Sequence, residues 1–191
     1  MITAAEIEAV FAKQLARIEN TELRRRTVEV WVEGAKRGGW TTMAELKGIP
    51  FTLLTDPHGI GLVEHTIAVT EGAVGLAEAQ MRSYAKMPYA INMDRLLAGG
   101  LLHDVGKLLE VEPDGKGGYR KSLAGRYARH PISGAILAAR CGMPDEIVNI
   151  IACHAREGDG APKVIETVLI HQADFAAFDP LMMLEKKQLI Q

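Results

Sequence analysis

The sequence predicts an all-α fold. Aromatic residues make up only 5% of the 191 residues, and the alternation of β-branched residues that marks half-buried strands is scarce. Apolar residues recur instead at helical spacing, in segments opened by capping signals and closed by glycine. Hydrophobic residues reach 48%, too many for a disordered chain, and the length suits one core-forming unit or one unit with a small extension.

Each element follows from local chemistry. Thr3 and Glu6 form a capping box ahead of a helix expected to run to about residue 18. The run TELRRRTVEVWVEGAKR reads as a second helix, stopped by Gly38 and Gly39. Residues 40–61 are broken by Pro50, Pro57 and glycines and read as a connector with one short helix. A long helix over residues 61–86 follows, and Asn92 then caps NMDRLLAGGLLHDVG. VEPDGKGGYRKS is a polar turn with the makings of a short hairpin around Asp114 and Gly115. Pro131 and Pro144 stand where first helical turns begin. The last long helix is expected from near Pro162 to just before Asp179 and Pro180.

Composition narrows the function classes. A net charge of −2 with mixed signs carries no general affinity for nucleic-acid backbones, so a small anionic substrate would need a local positive site. Cys141 and Cys153 match no ribbon or finger spacing and read as reduced thiols, hence a cytoplasmic protein. The acidic start MITAAEIEAV lacks the basic region of a signal peptide. No apolar run reaches the ~18 residues that span a bilayer, so no membrane partner is expected.

The chemistry-bearing residues sit on the apolar faces. His65 lies in line with Leu62, Val69, Gly72 and Leu76. Ile147, Ile150, Ile151 and His154 follow the i, i+3, i+4, i+7 pattern. Asp174 shares a face with Ile170, His171 and Phe178. His103 and Asp104 close the helix containing Ala98, Gly99, Gly100, Leu101 and Leu102, and His130 precedes Pro131 at the mouth of the next helix. Any one of these could be a core histidine with a hydrogen bond or a capping aspartate. Four inward His and two inward Asp are hard to satisfy by hydrogen bonds alone, because a buried carboxylate without a partner is costly. A metal satisfies them together, and imidazole plus carboxylate favours Fe, Mn, Zn, Ni or Co over Mg or Ca.

In this order the residues resemble the HD-domain superfamily of metal-dependent phosphohydrolases. The family pattern of His, His-Asp, two further His and Asp falls on His65, His103-Asp104, His130, His154 and Asp174, and HDVGK matches its HD-x-G-K form. The resemblance covers roughly residues 60–180. It implies a helical HD bundle over residues 56–191; residues 1–55 lie outside the resemblance and read as extra helices packed on that core or as a partner surface. It implies one divalent transition-metal ion on His65, His103, Asp104 and Asp174 and a second on His130 and His154, bridged by Asp104. It further implies attack of a metal-activated hydroxide on a phosphate mono- or diester, a nucleotide among the candidates, with Asp104 and Lys107 as catalytic residues.

Lys107, i+3 from Asp104, is placed to bind a phosphoryl oxygen or to steady the hydroxide network. Gly106 either ends its helix or permits close backbone approach. His171, one turn before Asp174, is either a donor to the ligand shell or an ordinary core or surface histidine. Arg129 and Arg156 are candidates to clamp phosphate, with surface salt bridges as the alternative. Lys116, Arg120 and Lys121 are either a lid over an anionic substrate or an exposed charged turn. The tail LMMLEKKQLIQ reads as a packing or oligomer helix, leaving a homo-oligomer open. His58 has no assigned role.

The chain departs from the HD-GYP branch, which degrades a cyclic dinucleotide. HAREGDGAPK carries Ala155 in place of that branch's second His, and Gly-Tyr-Pro is absent, which argues against a third metal and against that activity. Two other functions fit the same residues. Some HD-fold members hold two irons on the same set and activate O₂, and an HD module can bind a ligand without turnover.

Overall fold

The computed structural model describes residues 1–190. Helices α1 (Ala4–Val10), α2 (Ala12–Leu15), α3 (Thr21–Gly38) and α4 (Met43–Gly48) precede the long α5 (Leu62–Ser83) and the central α6 (Met93–Leu102). Then come α7 (Lys107–Glu110), a hairpin of β1 (Val111–Pro113) and β2 (Tyr119–Lys121), α8 (Leu123–Tyr127), α9 (His130–Arg140), α10 (Asp145–Cys153) and α11 (Ile165–Glu185). The sheet is a single antiparallel pair with Val111 opposite Lys121 and Pro113 opposite Tyr119. The all-α fold is therefore as expected. No helix among the described residues is long and apolar enough to cross a membrane.

The local signals act as read. Thr3 and Glu6 make a reciprocal capping box. Gly39 closes α3 at φ 81°, a left-handed conformation that favours glycine. The Asn92 side chain accepts from the Arg95 N–H at the start of α6.

Three expectations need correction. The first helix does not run unbroken to residue 18: it breaks at Phe11, whose φ of −105° and ψ of 20° leave the helical region so that its ring can pack on Trp31, centroids 5.0 Å apart. The buried stripe of α5 continues from Val69 through Ala73, Val74 and Ala77, while Gly72 and Leu76 are exposed. The last helix starts at Ile165 and runs through Pro180 to Glu185. Pro180 has no N–H for the Ala176 carbonyl, but both residues are exposed, so water can take the freed oxygen and the helix tolerates the proline.

One hydrophobic core unites the chain, drawing Ile7, Phe11 and Trp31 from the N-terminal helices together with Leu97, Leu101, Val105, Ile150 and Ile170. α5 packs on α6 and α11, α9 on α10, and α3 on α6, α7 and α9. Both tryptophans of the chain cap helix ends around the His103-Asp104 turn. Trp31 Nε1 donates to the Leu101 carbonyl at 2.9 Å and Trp40 Nε1 to the Leu108 carbonyl at 2.8 Å. Those carbonyls belong to last helical turns, which lack intrahelical donors. Helix α3, through Trp31, and the connector that follows it, through Trp40, thus hold the turn from both sides. Gln191, the last residue of the expected second unit, lies outside the described residues.

Candidate metal centre

α6 ends at Leu102, and the chain turns through His103, Asp104, Val105 and Gly106 before α7. The turn is tight because α9 lies directly against it. A Cβ on Gly106 would stand 2.1 Å from the His130 carbonyl oxygen and 2.7 Å from the Gly134 nitrogen, both main-chain atoms. Its φ of −64° is ordinary, so of the two readings of Gly106, close backbone approach is the one the structure requires.

Asp104, almost wholly buried, is the hub. Its Oδ2 lies 3.4 Å from His65 Nε2 and 3.5 Å from His103 Nε2. Its Oδ1 lies 3.2 Å from His130 Nε2 and 3.6 Å from His154 Nε2. Asp174 joins through its Oδ1, 3.0 Å from His65 Nε2. Two groups that could hold a metal ion follow: His65, His103 and Asp104, and Asp104, His130 and His154. Each takes one oxygen of the shared carboxylate.

The hydrogen bonds behind the rings decide what the inner atoms are. His103 Nδ1 donates to the Gly100 carbonyl at 2.7 Å and His154 Nδ1 to the Ile151 carbonyl at 2.8 Å. A carbonyl only accepts, so these nitrogens carry the ring protons and each Nε2 turns a lone pair toward Asp104. Lone pair then faces carboxylate oxygen, and no hydrogen bond can form between them. Accordingly His103 Nε2, His154 Nε2 and Asp104 Oδ1 are buried without a hydrogen-bond partner, as is Thr66 Oγ1; His65 Nε2 is buried among the same carboxylate oxygens, 3.0 Å from Asp174 Oδ1. Each orphan costs about 1–3 kcal/mol. A cation between acceptors removes the penalty, and these imidazole and carboxylate donors suit a divalent transition metal.

The protonation states of His103, His130, Asp104 and Asp174 agree, and His65 is the exception. Burial pushes the His103 imidazole down to about 4 and lowers that of His130. Burial also acts on His65, but the carboxylates of Asp104 and Asp174 outweigh it and raise the ring. For Asp104 the burial penalty is overcome by Lys107, His103 and His130, which hold the carboxyl well below its usual range. For Asp174 it is overcome chiefly by His65, which holds it at about 2. At neutral pH the carboxylates are ionised and His103 and His130 are neutral, as metal binding requires.

Lys107 reaches the centre, but not as a free cation. Its Nζ lies 2.6 Å from Asp104 Oδ2 and also donates to the Phe51 carbonyl. Arg129, Arg156 and His171 fall outside the ligand atoms. Arg129 pairs with Glu157 at 2.9 Å and approaches Glu110 at 3.8 Å, the salt-bridge alternative. Arg156 is exposed and makes no salt bridge among the described residues. His171 Nδ1 donates to the His154 carbonyl at 2.6 Å, so it steadies a candidate ligand through the main chain rather than through Asp174. Two of the three hairpin cations are paired with nearby acids, Arg120 with Glu112 at 2.8 Å and Lys121 with Glu110 at 3.3 Å, while Lys116 makes no salt bridge among the described residues. A surface cleft of about 350 Å³ lined by Arg26, Arg95 and Glu146 shares no residue with the centre.

Two site residues escaped the sequence reading. Phe51, from the connector, stacks on His65 with ring centroids 4.3 Å apart. Glu110 accepts from the His130 main-chain N–H and meets its Nδ1, both at 2.7 Å. A buried acid closing the apolar run KLLE was the available signal for Glu110; no local signal marked Phe51.

Ribonuclease Y of Pseudothermotoga lettingae is 32% identical over 61% of this chain and 18% of its own length. Ribonuclease Y of Thermotoga maritima is 31% identical over the same shares. The dihydroneopterin 2',3'-cyclic phosphate phosphodiesterase of Methanocaldococcus jannaschii is 32% identical over 61% of this chain and 45% of its own. The chain therefore spans less than half the length of these curated relatives. No solved structure matches. The family described as HD domain matches residues 62–177, a stretch that contains His65, His103, Asp104, Lys107, Glu110, His130, His154 and Asp174, and the chain belongs to that family.

Proposed function

We propose that the protein is a metal-dependent phosphohydrolase acting on a phosphate mono- or diester of a small, nucleotide-like substrate. The observation that carries this reading is the division of Asp104, one oxygen toward His65 and His103 and the other toward His130 and His154. A carboxylate so shared is the arrangement for two ions, with His65, His103, Asp104 and Asp174 holding one and Asp104, His130 and His154 the other. When bound, such ions supply Lewis acidity to a phosphoryl oxygen and lower the pKa of water.

This chain's own groups do the rest. The leucines and isoleucines around His103 and His154 exclude bulk water and hold the rings in one orientation. Two divalent ions bring +4, against −2 from Asp104 and Asp174, and Lys107 adds one more positive charge, so the centre attracts a phosphate anion. Asp174 and Lys107, with side chains 17% and 13% exposed, are the most open of the central groups and mark the side from which substrate enters. Phe178, one turn beyond Asp174 and 6.4 Å from Phe51, sets an aromatic face there, which supports a substrate with a planar ring. The relatives' names support phosphodiester chemistry. Residues 1–55 act in this reading as an extension that braces the centre through Trp31, Trp40 and Phe51.

The test is to purify the protein anaerobically, measure metal identity and stoichiometry, and screen 2',3'-cyclic nucleotides, nucleoside monophosphates and short RNA alongside O₂ uptake. Phosphoester cleavage that depends on added divalent metal is expected. Two irons per chain with O₂ consumption and no cleavage would replace this reading with an oxygenase.

A further inference from the structure

Glu110 lies at the end of α7, and its carboxylate is buried beside His130. One oxygen, Oε2, meets both the His130 main-chain N–H and its Nδ1 at 2.7 Å. The other, Oε1, faces Lys121 Nζ at 3.3 Å and Arg129 Nε at 3.8 Å. The main-chain bond has a clear physical reason. His130 opens α9, so its N–H has no partner within the helix, and Arg129 at the cap position offers no side-chain oxygen. Glu110 therefore caps α9 from another element while holding the ring of the first residue in that helix.

The ring contact sets His130 apart. His103 and His154 each give Nδ1 to a neutral carbonyl three residues back in their own segment. His130 gives its Nδ1 to a carboxylate twenty residues away in sequence, on another element. An anionic acceptor holds the ring proton on Nδ1 more strongly and makes Nε2, which points at Asp104 Oδ1, a stronger electron-pair donor. The position of Glu110 is itself rigid. Its carbonyl accepts from the Ser122 N–H at 2.8 Å, and a Cβ on Gly125 would lie 2.8 Å from the Glu110 Cα, so α8 lies flat against its backbone.

We propose that Glu110 is a positioning residue for the His130–His154 half of the centre: it fixes His130 in its Nδ1–H tautomer, sets its donor strength, and ties that half to the hairpin through Lys121. The proposal rests on the two-ion reading above, and its test separates the two.

The test uses full-length Glu110→Gln, which keeps an acceptor oxygen and removes the charge, and Glu110→Ala, which removes both. In metal-free protein at about pH 8, above the ordinary imidazole range, side-chain ¹⁵N shifts report the His130 tautomer. The wild type and Glu110→Gln should show Nδ1–H; Glu110→Ala should move toward Nε2–H. Titration with Zn²⁺ should then show the second ion weakened by about 10–100-fold in Glu110→Ala and by a smaller factor in Glu110→Gln, with the first ion unchanged. An Nε2–H tautomer in the wild type, or a tautomer unmoved by Glu110→Ala, overturns the proposal. So does a second-ion affinity that neither variant changes. If the wild type binds one ion only, the two-ion reading fails, and the tautomer still decides the role of Glu110. If Glu110→Ala does not fold, Glu110→Gln carries the test, and an unchanged second-ion affinity in it is the overturning result.

Discussion

Gly106→Ala separates the two things a glycine can do at this turn. Its φ and ψ of −64° and −17° are open to any residue, so the backbone itself favours alanine, by about 0.4–1 kcal/mol through the unfolded chain. The added methyl, however, would lie 2.1 Å from the His130 carbonyl oxygen and 2.7 Å from the Gly134 nitrogen, where ordinary contact begins at 3.4 Å. No side chain can swing aside to make room, so the first turn of α9 must move by about 1 Å. Overpacking of this kind costs about 1–3 kcal/mol, and main-chain obstruction sets the cost at the upper end. The net expectation is about 2 kcal/mol of destabilisation, or a Tm lower by about 4–8 °C for a chain of this length.

The same movement draws His130 Nε2 away from Asp104 Oδ1, now 3.2 Å distant. Zn²⁺ titration should therefore lose affinity at the second ion while the first is spared. Gly75→Ala is the control: the residue is exposed within α5 and a Cβ there meets nothing within 4 Å, so stability should rise by up to about 1 kcal/mol. Differential scanning calorimetry and metal titration read both variants. A Gly106→Ala protein with wild-type Tm and wild-type titration would refute the close approach of α9 to the turn.

Three further outcomes follow from the geometry. Asp104→Ala should lower the content of both ions, measured by elemental analysis of dialysed protein; one ion kept at wild-type affinity would end the shared-carboxylate reading. Trp31→Phe strands the Leu101 carbonyl, which now accepts from Trp31 Nε1 in the core. It should cost about 2 kcal/mol in urea unfolding, and an unchanged midpoint would mean that α3 does not anchor α6 there. In the metal-free protein, burial holds His103 at about 4 against about 6.5 for an unfolded imidazole. The unfolded chain then binds this proton first as pH falls, so stability is full above about 6.5 and is lost progressively down to about 4, by up to about 3 kcal/mol. The raised ring of His65 acts in a different range: the stability it contributes is complete below about 6.5 and is lost as pH rises above that value. Below the range of His103, Asp174 and Glu110, each held at about 2, add further loss as they protonate. Urea midpoints between pH 7 and 4.5 should fall, and His103→Gln should flatten the slope; a wild-type midpoint independent of pH would show that His103 is not buried neutral.

Much of this is legible in the sequence. The α3 stop at Gly39, the Asn92 cap of α6 and the 111–121 hairpin all depend on neighbours within a few residues, so their chemistry is local. Periodicity placed His154 behind Ile147, Ile150 and Ile151, because a helix repeats its faces regardless of what it meets. The same rule misplaced the far end of the α5 stripe at Gly72 and Leu76. A face drawn from residue types cannot tell which neighbour covers it, and Ala73, Val74 and Ala77 are the positions that become buried instead.

What the sequence determined by itself was therefore the all-α class and which His and Asp face inward. Only the tertiary structure decided how they meet. The split of Asp104 between two pairs of rings, the diversion of Lys107 to the Phe51 carbonyl, the Glu110 cap on His130 and the tryptophan caps on Leu101 and Leu108 join residues from different elements. The physical reason is that a helix's sequence specifies which face is apolar at little cost, whereas the choice between two buried partners for one lone pair or one carbonyl is made by packing, where distances of a few tenths of an ångström carry kilocalories.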